Sequence, residues 1–337
     1  MAWYGLTAFM MAEALVGLFH LKINIAVLSA LFGLVMAFNN FFGFAGIANF
    51  AGYLAAPVMI LWVAYTFLKV SSTVTPALVF EPPGQNWSVA LPLVSAFVLG
   101  YGSWGNEADF WRYGHAKKAF IVIPLIVAIL IGQILFPITG FLIAHMTHIA
   151  EYSVATAFMN NYSFFGMAPV ACLVLFVTYF ALADSCLYGS INGAKNLQRL
   201  PRKAVVSALT VLGAVIAAWL SGIGHAFEDV AALSSIILPC ATVIILAEAY
   251  VLPRLSKRSI SFSRVYSFAE LPVMNWSAMI AFVAGSLVGI ATCGIIASLE
   301  CIHVGISGLQ AWLVSFILYL ILRLCGRDAL NQTSSKD

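Results

Sequence analysis

The chain has 337 residues, of which 62% are apolar and 9% charged, and its mean hydropathy is +0.99. A chain of this composition would not stay dissolved in water, which excludes a soluble globular protein. The sequence is therefore that of a polytopic membrane protein.

Apolar runs of about 20 residues, the length that crosses a bilayer as a helix, predict ten spans. They cover approximately 3–19, 24–43, 46–68, 88–114, 119–143, 168–190, 204–222, 230–252, 274–298 and 304–324. The connections are too short for a separate soluble domain, and no cleavable signal peptide is expected at the start. We predict an all-α fold with one transmembrane domain over 1–324 and a cytoplasmic tail over 325–337.

Lys and Arg translocate poorly and accumulate in cytoplasmic loops. Of the 16 such residues, all except Lys22 and Lys69 fall after every second predicted helix. This bias predicts a multi-pass protein of the cytoplasmic (inner) cell membrane with both termini in the cytoplasm. The net charge of +3 follows from the same bias, so no nucleic-acid partner is expected.

Further candidate residues lie in the first, third and eighth spans. Glu13 in the first span is a candidate for ion coupling, because an intramembrane carboxylate is by default a functional candidate. Pro57 and Pro239 lie at similar points of the third and eighth spans, where proline removes a helical hydrogen bond. Such matching interruptions fit an inverted-repeat transporter; the alternative is coincidence, since proline is common in membrane helices.

The fourth span ends in GYGSWGNEADFWRYG, residues 100–114. Its glycines make a regular helix costly, which predicts a helix broken near the membrane midplane. Broken helices form the substrate and ion sites of secondary transporters. The residues predicted to bind substrate here are Gly100, Ser103, Trp104 and Asn106, with the Trp104 ring suited to stacking on a planar ligand. A glycine-rich packing face is the alternative.

An ion pair is expected just after this break. Asp109 and Arg112 are three residues apart, the spacing of neighbours on one helix face. We predict a structural Asp109–Arg112 pair that closes the cytoplasmic end of the helix, in preference to substrate contact by Asp109.

The sixth span, ACLVLFVTYFALADSCLYGS, contains a second intramembrane carboxylate. Thr178 and Ser185 share one helical face, and Asp184 lies beside it. Asp184 is a candidate proton carrier, cation ligand or substrate acceptor, with packing against a neighbouring helix as the alternative. Thr178 and Ser185 are predicted to contact substrate, and Thr178 also the coupling ion. Glu248, near the end of the eighth span, is expected to be solvated.

The remaining sequence gives no sign of catalysis. The 6 cysteines lie mostly inside apolar runs without metal-binding spacing, and no Walker, GxSxG or HExxH motif occurs. We therefore expect no enzyme activity, no metal and no cofactor beyond a coupling H+ or Na+.

The chain resembles the nucleobase–cation symporter family of cytosine, purine, uracil, allantoin and hydantoin permeases. EADFWRYGHAKKA resembles the family's segment after its broken helix, and ALADSCLYGSINGAKNL its Asp-containing helix. LSSIILPCATVIILAEAYVL is similar to the helix that ends in Ala-Asp-Tyr, with Glu248 in the Asp position. MAWYGL resembles the start of the family's third helix.

The resemblance implies a five-plus-five inverted-repeat fold whose first two helices are absent from this chain. It further implies that Trp3 and the Trp104 region enclose a planar nucleobase, with Thr7 facing the ring. The family's sodium-binding members carry hydroxyl or amide residues one turn before the Asp position, where Ala181 and Leu182 stand here. Since hard cations prefer oxygen ligands, a proton on Asp184 or Glu13 is the alternative to sodium.

Together these observations predict a secondary-active permease, or a fragment of one, that imports a purine or pyrimidine base or a similar planar heterocycle. The alternative is a truncated membrane protein that does not transport, or a subunit that associates with another chain.

Overall fold

The computed structural model describes residues 1–74, 110, 114, 117–149, 152–197, 200–255, 274–302 and 305–325. All regular structure in this part of the chain is helical, which confirms the predicted all-α fold. Seven helical segments in it are long and apolar enough to cross a membrane. They are Ala2–Phe19, Phe44–Thr73, Ala119–Thr147, Ala168–Asn196, Arg202–Leu220, Ala226–Leu255 and Ser307–Cys325. The protein is therefore a polytopic membrane protein.

The α-helices are numbered in chain order. They are α1 (Ala2–Phe19), α2 (Ile25–Val35), α3 (Phe38–Phe41), α4 (Phe44–Phe50), α5 (Ala56–Thr73), α6 (Ala119–Ile129), α7 (Phe136–Thr147), α8 (Tyr152–Ser163), α9 (Ala168–Leu197), α10 (Arg202–Leu220), α11 (Ala226–Leu246), α12 (Leu252–Leu255), α13 (Trp276–Thr292) and α14 (Ser307–Cys325). A short 3₁₀ helix, Ala297–Ile302, lies between α13 and α14.

Most predicted spans coincide with these helices, but two are shorter than expected. The predicted span at 24–43 is an apolar segment, Ile25–Phe41, divided between α2 and α3, and that at 274–298 contains the 17-residue α13. The predicted break at 100–106 and the Asp109–Arg112 pair lie outside the described residues, and so does the tail after Cys325.

The chain divides into two compact units, one formed by Met1–Pro82 with Ala108–Phe227 and the other by Pro83–Glu107 with Glu228–Asp337. In the first unit α1 is the most buried of the spanning helices and packs against α2, α8, α9 and α10. Small residues permit this packing. A Cβ added at Gly33 of α2 would lie 2.8 Å from Ala214 Cα of α10, so the two backbones are in close contact.

In the second unit α13 and α14 pack along their length. Ser315 of α14 donates a hydrogen bond to the Ala281 carbonyl of α13 (3.1 Å), and Gly285 leaves room for the Ser315 side chain. Ile244, Ala247, Leu252, Ala281 and Tyr319 form a buried cluster there.

Among the described residues, three spanning helices contain a π-helical turn, at Ala51–Ala55, Leu130–Leu135 and Ala247–Val251. Each is followed two residues later by a proline, namely Pro57, Pro137 or Pro253. Proline clashes with the carbonyl four residues before it in a regular α-helix, and a widened turn relieves that clash. Pro239 instead lies inside the α-helix α11. Pro57 and Pro239 thus occupy different local geometries, a difference that the predicted repeat did not anticipate.

Candidate functional site

The most unusual polar group in the first unit is the carboxylate of Asp184 on α9, which is completely buried. Asn39 Nδ2 donates to its Oδ2 at 2.7 Å, and Asn40 Nδ2 donates to its Oδ1 at 3.0 Å. Asn40 Nδ2 also lies 3.3 Å from the Asp184 backbone carbonyl oxygen. Both carboxylate oxygens therefore accept hydrogen bonds from side chains about 145 residues away in sequence.

The two asparagines lie on the α2–α4 connection, residues 36–43, between two apolar helices. The single turn of α3 holds Asn39 and Asn40, and Gly43 then begins α4 with a φ of 79°. That left-handed conformation favours glycine, which has no Cβ to clash. Local backbone geometry thus places both amides where they meet α9.

Arg202, at the start of α10, also binds the α2–α4 connection. Its guanidinium donates to the Asn40 backbone carbonyl at 3.1 Å and lies 6.0 Å from the centre of the Tyr188 ring. The Tyr188 ring also contacts Phe44 and Phe110, with ring centroids 5.7 and 5.4 Å away. We call Asp184, Asn39, Asn40 and Arg202 the Asp184 cluster.

Helix α1 passes beside the cluster. The Tyr4 hydroxyl donates to the Gly33 carbonyl, and Tyr4 lies near enough to Asp184 for the two groups to interact electrostatically. The amino group of Met1 lies 3.4 Å from Ser190 Oγ on α9.

Glu13 belongs to a separate polar group formed by α1, α8 and α9. It interacts electrostatically with Tyr152 and Tyr179, whose hydroxyls share a hydrogen bond. Glu13 is half-buried, and Thr178, a predicted ion-coupling residue, is the neighbour of Tyr179 in sequence. The structure therefore places the two candidate carboxylates in different environments, Asp184 among amide donors and Glu13 near phenolic hydroxyls.

The predicted substrate-binding residues that carry a hydroxyl group and lie in the described part of the chain each donate a hydrogen bond within their own helix. Thr7 is buried and donates to the Trp3 carbonyl at 2.6 Å. Thr178 donates to Leu175 O at 2.9 Å, and Ser185 to Ala181 O at 3.2 Å. Each hydroxyl oxygen keeps acceptor capacity for a ligand.

Trp3 is half-buried and makes an edge-to-face contact with Phe227, with ring centroids 6.1 Å apart. Its predicted partner Trp104 lies outside the described residues, as do Gly100, Ser103 and Asn106. The predicted enclosure of a ring between Trp3 and Trp104 therefore stays a prediction.

Sequence reasoning missed Asn39, Asn40 and Arg202. The available signal was FNNFFG at 38–43, where two amides interrupt an apolar run just before a glycine. Arg202 was counted only as a cytoplasmic charge. Asn39 and Asn40 reach Asp184, and Arg202 reaches Asn40, only through tertiary contacts, so sequence spacing alone could not join them.

The expectation that Glu248 is solvated was wrong. Glu248 lies in the π-helical turn of the second unit and is 5% exposed. Arg323 of α14 pairs with its Oε1 at 3.1 Å, and the Tyr319 hydroxyl donates to Oε2 at 2.7 Å. These partners compensate the carboxylate for lost water. The sequence signal for this buried pairing was the four-residue spacing of Tyr319 and Arg323, which places both on one face of α14.

Among the described residues, no group of three or more His, Cys, Asp or Glu side chains is placed to hold a metal ion. A comparison of the chain with models of known protein families gives no match, and a comparison with curated proteins gives none either. We therefore infer function from the residues of the site and from the resemblance described above.

Proposed function

We propose that the protein is a secondary-active permease that imports a planar, nucleobase-like heterocycle together with a proton carried by Asp184. The observation that supports this most strongly is the position of Asp184, which is completely buried in a spanning helix with both oxygens bonded to amide donors. Carboxylates in membrane spans are rare and costly, and they mark ion or substrate pathways.

The surroundings of Asp184 can satisfy both of its protonation states. The ionised carboxylate accepts from Asn39 and Asn40 as observed. A protonated carboxyl group has an O–H that needs an acceptor, and the buried Asn40 Oδ1 has no hydrogen-bond partner. Rotation of the Asn40 amide would exchange its donor for this acceptor. A carboxyl group whose only role was to stabilise packing would need partners for one protonation state.

A proton on Asp184 would also change how the α2–α4 connection is held. Protonation converts one Asp184 acceptor into a donor, so the Asn40 amide has to rotate and the bonds that attach the α2–α4 connection to α9 change. Arg202 joins the same connection to α10 through the Asn40 carbonyl. We infer that this connection is the element with two arrangements that alternating access requires.

The donors around Asp184 favour a proton over sodium as the coupling ion. Sodium, like other hard cations, would need several oxygen ligands. In the described part of the chain, the amides bonded to the Asp184 oxygens present N–H groups as oriented, and the one unpartnered amide oxygen beside them, Asn40 Oδ1, would add a single ligand.

The planar substrate, the ten-helix inverted-repeat fold and the orientation belong to the same proposal. The substrate and the repeat rest on the sequence resemblance and on Trp3, Thr7 and Trp104. Import rests on the same resemblance, and the cytoplasmic placement of both termini rests on the distribution of Lys and Arg.

Uptake by proteoliposomes tests the proposal. The purified chain is given labelled purine and pyrimidine bases under an inward proton gradient or an inward sodium gradient. We expect uptake driven by the proton gradient, and its loss in Asp184→Asn. Glu228→Gln, which neutralises an exposed acid at the start of α11, serves as the control and should transport normally. Uptake driven by sodium alone, or normal uptake by Asp184→Asn, would refute coupling through Asp184.

A further inference from the structure

A second site lies in the first unit, in a cavity of about 280 Å³ between α5, α7 and α8. Trp62 and Thr66 line it from α5, Gly140 and Ala144 from α7, and Phe158 and Met159 from α8. We propose that this cavity binds an acyl chain of an anionic phospholipid from the bilayer, with the lipid headgroup at Lys69.

The cavity wall is apolar in its chemistry despite three threonines. Thr139 donates to Leu135 O at 2.7 Å and Thr147 to Ile143 O at 2.8 Å. Thr66 and Ser163 share a hydrogen bond of 3.1 Å. These hydroxyls are already bonded, and among the lining residues only Trp62 Nε1 is a buried side-chain donor without a partner. The wall therefore offers few polar partners for water, which needs two to four. A hydrocarbon chain fits this wall better than water or a polar solute.

The cavity opens towards lipid. Gly140 and Ala144, which line it, are both exposed. Large apolar side chains beside them are exposed as well, including Leu61 (72%) on α5 and Phe141 (54%) on α7. Both helices belong to segments long and apolar enough to span a membrane, so these side chains face hydrocarbon. An acyl chain therefore enters from the bilayer.

Lys69 supplies the preference for an anionic headgroup. Trp62, Thr66 and Lys69 are spaced four and three residues apart and so share one face of α5. The Lys69 ammonium donates to the Tyr162 carbonyl and lies 4.3 Å from the centre of the Tyr162 ring. Among the described residues it has no carboxylate partner. A phosphate group would provide that countercharge at the end of the apolar segment.

Two glycines provide a matched pair of variants. A Cβ added at Gly140 or at Gly132 meets no atom within 4 Å, so both positions accept a larger side chain. Gly140 lines the cavity, whereas Gly132 does not. Gly140→Phe should therefore fill the cavity, and Gly132→Phe should leave it open.

Native mass spectrometry of the full chain measures lipid retention. The protein is supplied with phosphatidylglycerol, phosphatidylethanolamine and a free fatty acid that have the same acyl chain. We expect wild type and Gly132→Phe to retain phosphatidylglycerol and Gly140→Phe to lose it. Lys69→Gln should reduce the preference for phosphatidylglycerol over phosphatidylethanolamine by about fivefold, since one cation at an anionic surface is worth about that factor.

Fluorescence quenching in wild-type protein gives a test that does not depend on the folding of Gly140→Phe. Phosphatidylglycerol with brominated chains should quench Trp62, and the quenched component should be missing in Trp62→Phe. Equal retention by the two glycine variants, retention of the free fatty acid alone, or no Trp62 quenching would overturn the proposal. Because these measurements detect lipid and not transport, they are independent of the proposed permease activity.

Discussion

At the scale of single residues, the Asp184 cluster combines a high cost of burial with complete pairing of the carboxylate. A charged group removed from water is stable only when its partners replace the lost hydrogen bonds. Asn39 and Asn40 supply those bonds at 2.7 and 3.0 Å. Hydrogen bonds to charged groups are about twice as strong as neutral ones, so the energetic coupling between these side chains is measurable.

A double-mutant cycle tests this coupling. Asn40→Ala should lower the free energy of unfolding in detergent by about 2 kcal/mol, because it removes a donor from a buried carboxylate. In an Asp184→Asn background the same change should cost less. As a control, a second cycle combines Asp184→Asn with Asn275→Ala, which removes the helix cap of α13. Among the described residues Asp184 and Asn275 share no partner, so the effects of the two substitutions should be additive. Additivity in both cycles would show that Asn40 does not stabilise the Asp184 carboxylate.

The buried Glu248–Arg323 pair makes a second prediction for single residues. Arg323→Met leaves the Glu248 carboxylate buried without its cation, which should cost about 3–5 kcal/mol of unfolding free energy. Adding Glu248→Gln should restore a large part of that loss, since no charge then remains buried. Thermal unfolding of the two variants in detergent measures the difference. Equal stability of the single and double variants would contradict the pairing.

At the scale of helices, close approach depends on small residues. A Cβ at Gly33 would meet the backbone of Ala214 at 2.8 Å, and a Cβ at Gly52 would meet nothing within 4 Å. Backbone cannot move aside as a flexible side chain can, so the α2–α10 contact would have to open.

Gly33→Ala should accordingly lower the unfolding free energy of the purified protein by about 1–3 kcal/mol. Gly52→Ala should leave it unchanged or raise it slightly, because alanine has the higher helix propensity. Melting temperatures measured in one detergent compare the two. If Gly33→Ala is as stable as Gly52→Ala, the helices do not need their observed separation.

The helices themselves could be predicted from sequence because a bilayer fixes the length of an apolar run. The division of 24–43 into α2 and α3 could not, since the sequence stays apolar through Met36 and Ala37, where the two helices meet. The π-helical turns escaped prediction as well, although each precedes a proline. Asp184 was found as a candidate from its place in a span, whereas its partners depend on tertiary contacts.

At the scale of the whole molecule, each of the two units contains a buried carboxylate with its own partners. Asp184 in the first unit is bonded to neutral amides, and Glu248 in the second is paired with an arginine. A carboxylate paired with a fixed cation favours its ionised state, whereas one held by amides can be neutralised without leaving a charge unpaired. We therefore propose that Asp184 carries the coupling proton and that Glu248 has a structural role.

The most direct test of this assignment is proton movement in proteoliposomes that enclose a pH-sensitive dye. The base that the wild-type protein takes up most strongly is added outside in the absence of any imposed ion gradient. We predict that the interior acidifies with wild type and with Glu228→Gln, and that no acidification occurs with Asp184→Asn. Acidification by Asp184→Asn equal to that of wild type would contradict the assignment of the coupling proton to Asp184.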